Sequence, residues 1–350
     1  MKLIAHFKQF HSKIKLGKER LGRIESALSN LQGFTDRDGP ISEAKIDLFQ
    51  QGSLAIDTAV IPVKEGEEFD ADAVVVLDVT KRPRDKQDPQ SVIDWFADRL
   101  RENDSISDKI RRRPRCVRIE YVGDFHFDVV PSHGGKEGQL LVPIREDDIW
   151  QWKPSHPREY IAWVKSINSQ SGGKFCRIMK MLKHWRNLKM GKETGPKSIV
   201  FTTLIGYRIG EGHALGCESD AEALVKAMEA LNDHLRMYSS PPTVLNPSLR
   251  SEDLARNWDP DHFKVFKEKF ASATQKAWQA FDEEDKEKSV RIWQDLFGER
   301  YFPTNLEGGA KMAEAVVAGN VYIKSSGEVI RGKPEDGSGI QIPGHRSFGV

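Results

Sequence analysis

The chain has 350 residues, 53 of them Lys or Arg and 52 Asp or Glu, for a formal net charge of +1. That length holds two domains, each with its own core, and the charge balance excludes a general nucleic-acid coat or membrane-surface role. Three widely separated cysteines, Cys116, Cys176 and Cys217, exclude a disulfide framework or a zinc knuckle and fit a reducing cytoplasm. The start, Met1-Lys2-Leu3-Ile4-Ala5-His6-Phe7-Lys8, lacks the apolar core of a signal peptide. No stretch approaches the roughly 18 apolar residues of a membrane span, so no membrane association is expected.

In chain order, Leu3, Phe7, Phe10, Ile14, Leu21, Ile24, Leu28 and Leu31 recur at helical spacing and predict one or two amphipathic helices. Gly33 and the Asp36-Gly39-Pro40 stretch break that pattern. Phe49 to Leu54 reads as a strand running into a Gly52-Ser53 turn, and Phe69 to Val79 as a strand buried on both faces. A helix is expected over 88–103, with Val92, Ile93, Phe96 and Leu100 as its apolar stripe. Arg115 to Val122 and Phe125 to Val130 predict a hairpin across Gly123-Asp124. The basic run Arg111-Arg112-Arg113-Pro114-Arg115 reads as a solvated edge. From about Trp150 the pattern turns helical, with helices expected over 158–168, 175–188, 198–209, 221–237, 261–281 and 283–297. After Pro303 the sequence loosens, and its last twenty residues read as a mobile tail.

The chemistry concentrates on three aspartates. Asp70 and Asp72 stand at i and i+2 at the start of the apolar run, so an extended strand projects them to one face. Paired carboxylates repel unless a cation lies between them, and a hard divalent ion suits them. Asp128, closing His126-Phe127-Asp128-Val129-Val130-Pro131, supplies a third carboxylate from a neighbouring strand. Together they form the donor set of two-metal phosphoryl transfer. Asp57, Asp78 and Asp124 lie outside the pattern. On the helical side, Lys180 and Lys183 stand off the apolar stripe of the 175–188 helix, and Ser198 opens the next one after Gly195-Pro196-Lys197. A helix start with a hydroxyl seats a phosphate, Lys180 adds a point charge, and the plain alternative is a solvated lysine beside an N-cap.

These residues, taken in order, resemble the polymerase-β-like nucleotidyltransferases, and among them the bacterial CD-NTases, relatives of cyclic GMP-AMP synthase and oligoadenylate synthase. The resemblance rests on Gln51-Gly52-Ser53 with Thr58 and Pro62, and on Glu67-Glu68-Phe69-Asp70. It rests too on Ile178 to Trp185 with Lys197-Ser198 beyond, and on Trp293 to Gly298 before Phe302-Pro303. It covers roughly residues 1–305. It implies an α/β (α+β) fold in which a polymerase-β-like core sheet carries a C-terminal oligoadenylate-synthase-like helical domain. The expected boundaries are 1–150 for the nucleotidyltransferase domain with its N-terminal helix, 151–305 for the helical domain and 306–350 for a flexible tail.

Carried over by position, Gly52 and Ser53 match the turn that grips the donor triphosphate. Asp70 and Asp72 match the metal ligands, with Mg²⁺ or Mn²⁺ implied. Asp128 matches the third metal-site carboxylate, which helps activate the acceptor hydroxyl, and Lys180 and Ser198 match holders of the triphosphate. The implied activity joins ribonucleoside triphosphates into a cyclic di- or trinucleotide second messenger in anti-phage defence. The resemblance also implies a ubiquitin-transfer-like partner enzyme acting on the C-terminal Val350. Two departures stand out. No His/Cys cluster is present, which argues against activation by duplex DNA, and Leu54-Ala55-Ile56-Asp57 replaces the basic or aromatic residue usual after Gly-Ser.

Three other readings fit the residues less well. An RNA-end nucleotidyltransferase needs a basic surface that the charge balance does not supply. A toxin-type nucleotidyltransferase has a tighter Gly-Ser to Asp spacing than the 17 positions from Ser53 to Asp70. A non-catalytic binding module has no use for all three carboxylates.

Overall fold

The structure is a computed structural model, described for residues 1–64, 66–121, 123, 125–134, 138–191, 194–306, 308–324, 329–334 and 339–342. The N-terminal stretch is two helices, α1 (Ile4–Ile14) and α2 (Lys18–Arg37), separated where Lys15 and Gly17 turn extended. They serve different cores. Ile24, Ala27 and Leu31 of α2 pack on the sheet. Phe7 and Phe10 of α1 join the aromatic cluster of the helical half, Phe7 edge-on to Trp293 at 5.0 Å and Phe10 against Phe297 at 4.6 Å. Helix α1, expected with residues 1–150, thus packs its aromatic stripe on the helical half. The Asp36 to Pro40 stretch, expected as a break, starts a short helix, α3 (Gly39–Ala44): the Asp38 carboxylate accepts from the Ile41 N–H at 3.0 Å.

The sheet follows. Its strands are β1 (Lys45–Gln51), β2 (Phe69–Leu77), β3 (Ile110–Arg112), β4 (Val117–Tyr121), β5 (Phe125–Gly134), β6 (Leu140–Glu146) and β7 (Ile149–Ser155). A one-turn helix, α4 (Gly52–Ala55), links β1 toward β2, and α5 (Pro89–Arg101) lies between β2 and β3. The order is β1-β2-β5-β4-β3, with β6 joining β5 to β7; β2 and β5 run parallel and every other pair antiparallel. The apolar run of β2 reads continuous because both faces are covered. Phe69, Ala71, Ala73, Val75 and Leu77 enter the core under α2 and α5, while Val74 and Val76 pack with Phe49, Val130 and Leu140 on the other face. Asp70 and Asp72 share that second face.

Strand β7 crosses the expected boundary at 150. It pairs with β6 through Asp147 and Asp148, both at positive φ (48° and 62°), the mirror-image turn that suits a two-residue hairpin. The helical half therefore begins with α6 (Pro157–Gln170), followed by α7 (Lys174–Lys189), α8 (Ser198–Gly210), α9 (Asp220–Arg236), a small hairpin of β8 (Leu245–Asn246) and β9 (Leu249–Asp253), α10 (Pro260–Asp282) and α11 (Lys286–Phe297). Helix α7 is its axis, with Trp185 set between Phe266 and Phe270.

Parts of the segment expected as a loose tail form regular elements. Residues 308–317 form α12, whose Glu314 carboxylate accepts from Lys286 of α11 at 2.9 Å, and β10 (Val321–Ile323) pairs with β11 (Val329–Arg331) and β12 (Ile340–Ile342). Short β-forming runs between the glycines supply that sheet. The terminal segment ending in Val350 lies outside the described residues.

Candidate active site

The parallel pairing of β2 with β5 sets Asp72 opposite Asp128 and Asp70 opposite His126. One sheet face therefore carries Asp70, Asp72 and Asp128 together, the arrangement expected from the i, i+2 spacing. Strand β1 ends at Gln51, opposite Asp72, and the chain turns over the carboxylates at Gly52. Gly52 has φ +69°, and a Cβ built there falls 2.0 Å from Asp72 Oδ2, so the turn rests directly on this carboxylate. Ser53 follows in α4, its carbonyl accepting from the Thr58 N–H at 2.8 Å. The Gly-Ser turn and the two aspartates of β2 are thus brought together.

The charges are crowded. Asp72 is half-buried beside Asp128 and Asp70, and burial first, then these two carboxylates, push its pKa up to about 7. Asp70 is exposed. Asp128 is gripped by Arg118, whose Nε and Nη2 donate to the two carboxylate oxygens at 2.7 and 2.8 Å, and the same guanidinium lies 3.5 Å from Asp70. The sequence reading missed Arg118. A two-residue turn at Gly123-Asp124 sets Ile119 opposite Asp128, whereas the ladder closes at Tyr121 and Phe125 and sets Arg118 there. At the start of β5, His126 Nε2 lies 2.8 Å from Glu68, the residue just before β2. The basic run beside Arg118 is paired with carboxylates: Arg111 and Arg113 with Glu120, Arg112 with Asp94 and Asp98, and Arg115 with Glu146.

The helical side differs from expectation. Helix α7 is buried along most of its length, so Lys180 and Lys183 are not solvated. Lys180 points to Asp57, Nζ to Oδ1 at 2.6 Å, and not to the carboxylate cluster. Lys183 donates to the Thr58 carbonyl at 3.2 Å and to its hydroxyl at 2.7 Å. It is the cation from this half that acts on Asp72: its charge draws the Asp72 pKa down, while burial lowers its own to about 7. Ser198 is the first helical residue of α8 and not its N-cap, which is Lys197. Its Oγ accepts from Arg186 Nη1 at 3.2 Å. Arg186, also unforeseen, is buried and donates to the Pro196 carbonyl at 2.8 Å.

Residues 1–168 match the model of the Second Messenger Oligonucleotide or Dinucleotide Synthetase domain. A cyclic AMP-AMP-AMP synthase of Acinetobacter sp. is 25% identical over 280 residues, 79% of this chain and 78% of its own length. A c-di-GMP synthase of Roseivirga ehrenbergii is 27% identical over 287 residues, 72% of each chain. Among solved structures, the Vibrio cholerae DncV cyclic AMP-GMP synthase with nonhydrolyzable GTP aligns with a TM-score of 0.70 at 14% identity, over 87% of this chain and 98% of that one. Together these likenesses indicate a bacterial CD-NTase. Its curated relatives are cyclic di- and trinucleotide synthases, and it is a nucleotidyltransferase. Its fold is the family's, a nucleotidyltransferase sheet joined to a helical lobe. No helix among the described residues is long and apolar enough to cross a membrane.

The metal donor set fits in part. Asp70 and Asp72 lie on one strand face, and the proton that crowding holds on Asp72 is one a cation would release. Asp128 is turned to Arg118, and among the described residues no three ligands close around one point.

Proposed function

We propose that this CD-NTase joins ribonucleoside triphosphates into a cyclic di- or trinucleotide second messenger serving anti-phage defence. The observation that carries this reading is the strand register: Asp72 faces Asp128 across a parallel pair, Asp70 stands beside them, and the Gly52 turn rests on Asp72. The neighbours' names support it, since the matched proteins are cyclic AMP-AMP-AMP, c-di-GMP and cyclic AMP-AMP-GMP synthases.

In this reading Asp70 and Asp72 hold a divalent cation, Mg²⁺ or Mn²⁺, with Asp128 nearby. When bound, the ion supplies Lewis-acid charge against the donor phosphates. The Gly52-Ser53 turn fixes the triphosphate above Asp72. Asp128, oriented by Arg118, accepts the proton of a ribose hydroxyl. The hydroxyl oxygen bonds to the α-phosphorus of the donor, the bond to the β-phosphate oxygen breaks, and pyrophosphate leaves. A later transfer within the linear product closes the ring. Lys183 supplies the buried positive charge toward this site, and Ser198 is steadied by Arg186 at the helical edge. Val350 is proposed as the target of a ubiquitin-transfer-like enzyme, to be tested by deleting the last residues in cells carrying that enzyme and measuring protection.

The test of function is direct. The protein is incubated with the four labelled ribonucleoside triphosphates and Mg²⁺, and the products are treated with phosphatase. A phosphatase-resistant product is expected. Extension of added RNA in place of a resistant product moves the assignment to an RNA-end nucleotidyltransferase, and transfer onto a protein or drug to a toxin-type enzyme.

Lys183→Met gives a pH prediction. The folded protein holds the Lys183 pKa near 7, below the 10.5 of a free lysine. Between those values the unfolded chain binds more protons, so the wild type gains stability from this group as pH rises from about 7 to 10. The methionine variant is expected to lack that gain in thermal unfolding across pH 7–10, and its KM for nucleotide is expected to rise roughly tenfold. An identical pH profile would show that Lys183 is fully charged in the fold.

A further inference from the structure

Helix α7 holds the loop after the Gly-Ser turn along one face. Cys176 Sγ donates to the Ile56 carbonyl at 3.3 Å, Lys180 pairs with Asp57, and Lys183 donates to Thr58. These positions, i, i+4 and i+7, lie one above another on a helix. The loop carries the constraint back to the turn: the Thr58 N–H bonds to the Ser53 carbonyl at 2.8 Å and the Asp57 N–H to the Leu54 carbonyl at 3.1 Å. Asp57 itself holds a left-handed backbone, φ +48°, which aspartate tolerates better than most residues. Its side chain is 79% exposed, whereas that of Lys180 is 7% exposed, so the ammonium is buried beneath the loop with the carboxylate as its outer cap.

The other groups around Lys180 leave this role to Asp57. His11 of α1 faces the same ammonium, and burial together with the Lys180 charge keeps its imidazole from protonating until about pH 4. Arg177 is bound to Asp220 at 2.9 Å. Neither His11 nor Arg177 gives Lys180 a negative partner.

We infer that Asp57 is a positioning residue of the donor site: its ion pair with Lys180 ties the 53–58 loop to α7 and so sets the Gly52-Ser53 turn over Asp72. Lys180 thus serves the nucleotide through the loop and does not touch the triphosphate. This rests on the nucleotidyltransferase reading above, and it separates two roles for Lys180 that predict opposite results.

The test compares wild type with Asp57→Asn, Lys180→Met, their double variant, Lys180→Asp and the swap Asp57→Lys/Lys180→Asp. Each is measured for nucleotide KM and kcat, equilibrium binding of a nonhydrolysable ATP analogue with Mg²⁺, and thermal unfolding. Asp57→Asn and Lys180→Met are each expected to raise KM about tenfold with kcat little changed, the double variant to be no worse than Lys180→Met, and the swap to return within about threefold of wild type. If Lys180 touches the triphosphate, the swap places a carboxylate against it and binds no better than Lys180→Asp alone, which overturns the inference. Unchanged or lowered KM in Asp57→Asn overturns it as well. Should the swap fail to fold, the cycle of Asp57→Asn and Lys180→Met decides, additive losses counting against the tie. A wild type that makes no product from triphosphates defeats the functional reading; an active wild type with an indifferent Asp57→Asn defeats only this inference.

Discussion

Asp72→Asn is expected to lower product formation on the order of 10³-fold while making the protein harder to unfold at pH 8. The two effects share one cause. Asp72 sits half-buried between Asp70 and Asp128, and its folded pKa is about 7 against 3.8 for a free aspartate. Below pH 4 both folded and unfolded chains carry the proton, and the group costs nothing. As pH rises toward 7 the unfolded chain ionises freely while the folded one resists, so stability is lost across that window. At about 1.36 kcal/mol per pKa unit, the loss is at most roughly 4 kcal/mol. Asparagine removes it by removing the charge. The unfolding midpoint should therefore rise by a few degrees at pH 8 and stay level at pH 4. Wild-type turnover in Asp72→Asn would remove the carboxylate face from the mechanism, and a lower midpoint at pH 8 would show that the Asp72 charge is compensated in the fold.

Gly52→Ala is the second large effect. The new Cβ falls 2.0 Å from Asp72 Oδ2 and 2.8 Å from its carboxyl carbon, at a backbone φ of +69°. Either the carboxylate swings away or the turn lifts, and each displaces one half of the site from the other. A misplacement of about 1 Å costs on the order of 10²-fold in rate, and the strained backbone costs about 1–3 kcal/mol of stability. Activity assays on the folded variant check the first, and denaturant unfolding the second. Gly17, where an added Cβ meets nothing, is the control: Gly17→Ala should leave turnover within twofold or so of wild type.

Strand alternation made the carboxylate site legible, because a period of two assigns each side chain to a face without any tertiary knowledge. Helical periodicity likewise located α5 through α11 to within a few residues. What stayed hidden depended on register or on coverage. Arg118 needed the length of the β4–β5 connection, where one residue decides whether an arginine or an isoleucine faces Asp128. Strand β7 escaped because Trp150 and Trp152 suit either a strand or a helix, and the Asp147-Asp148 turn lacks the glycine that usually marks a hairpin. Lys180 and Lys183 were read on a polar helix face and Arg186 was not singled out, because such a face looks solvated until the loop and the Pro196 segment that cover it are known. The 306–350 segment was judged by its glycines, although the runs 321–323, 329–331 and 340–342 pair into a sheet.

The docking of α1 bears on how the enzyme is made. Phe7 and Phe10 lie against Trp293, Phe297 and Phe302, and the N-terminal ammonium donates to the carbonyls of Ala280 and Glu283 at 3.5 and 3.3 Å. Helix α1 thus receives part of its packing from residues nearly 300 positions further along the chain. Contacts so far apart in sequence make folding slow and close it late. The carboxylate pair of β2 and β5 is complete by Asp128, yet the lobe that holds its loop cannot lock until about residue 302 has emerged. A chain that stops short of Phe302 therefore lacks the aromatic surface on which α1 closes.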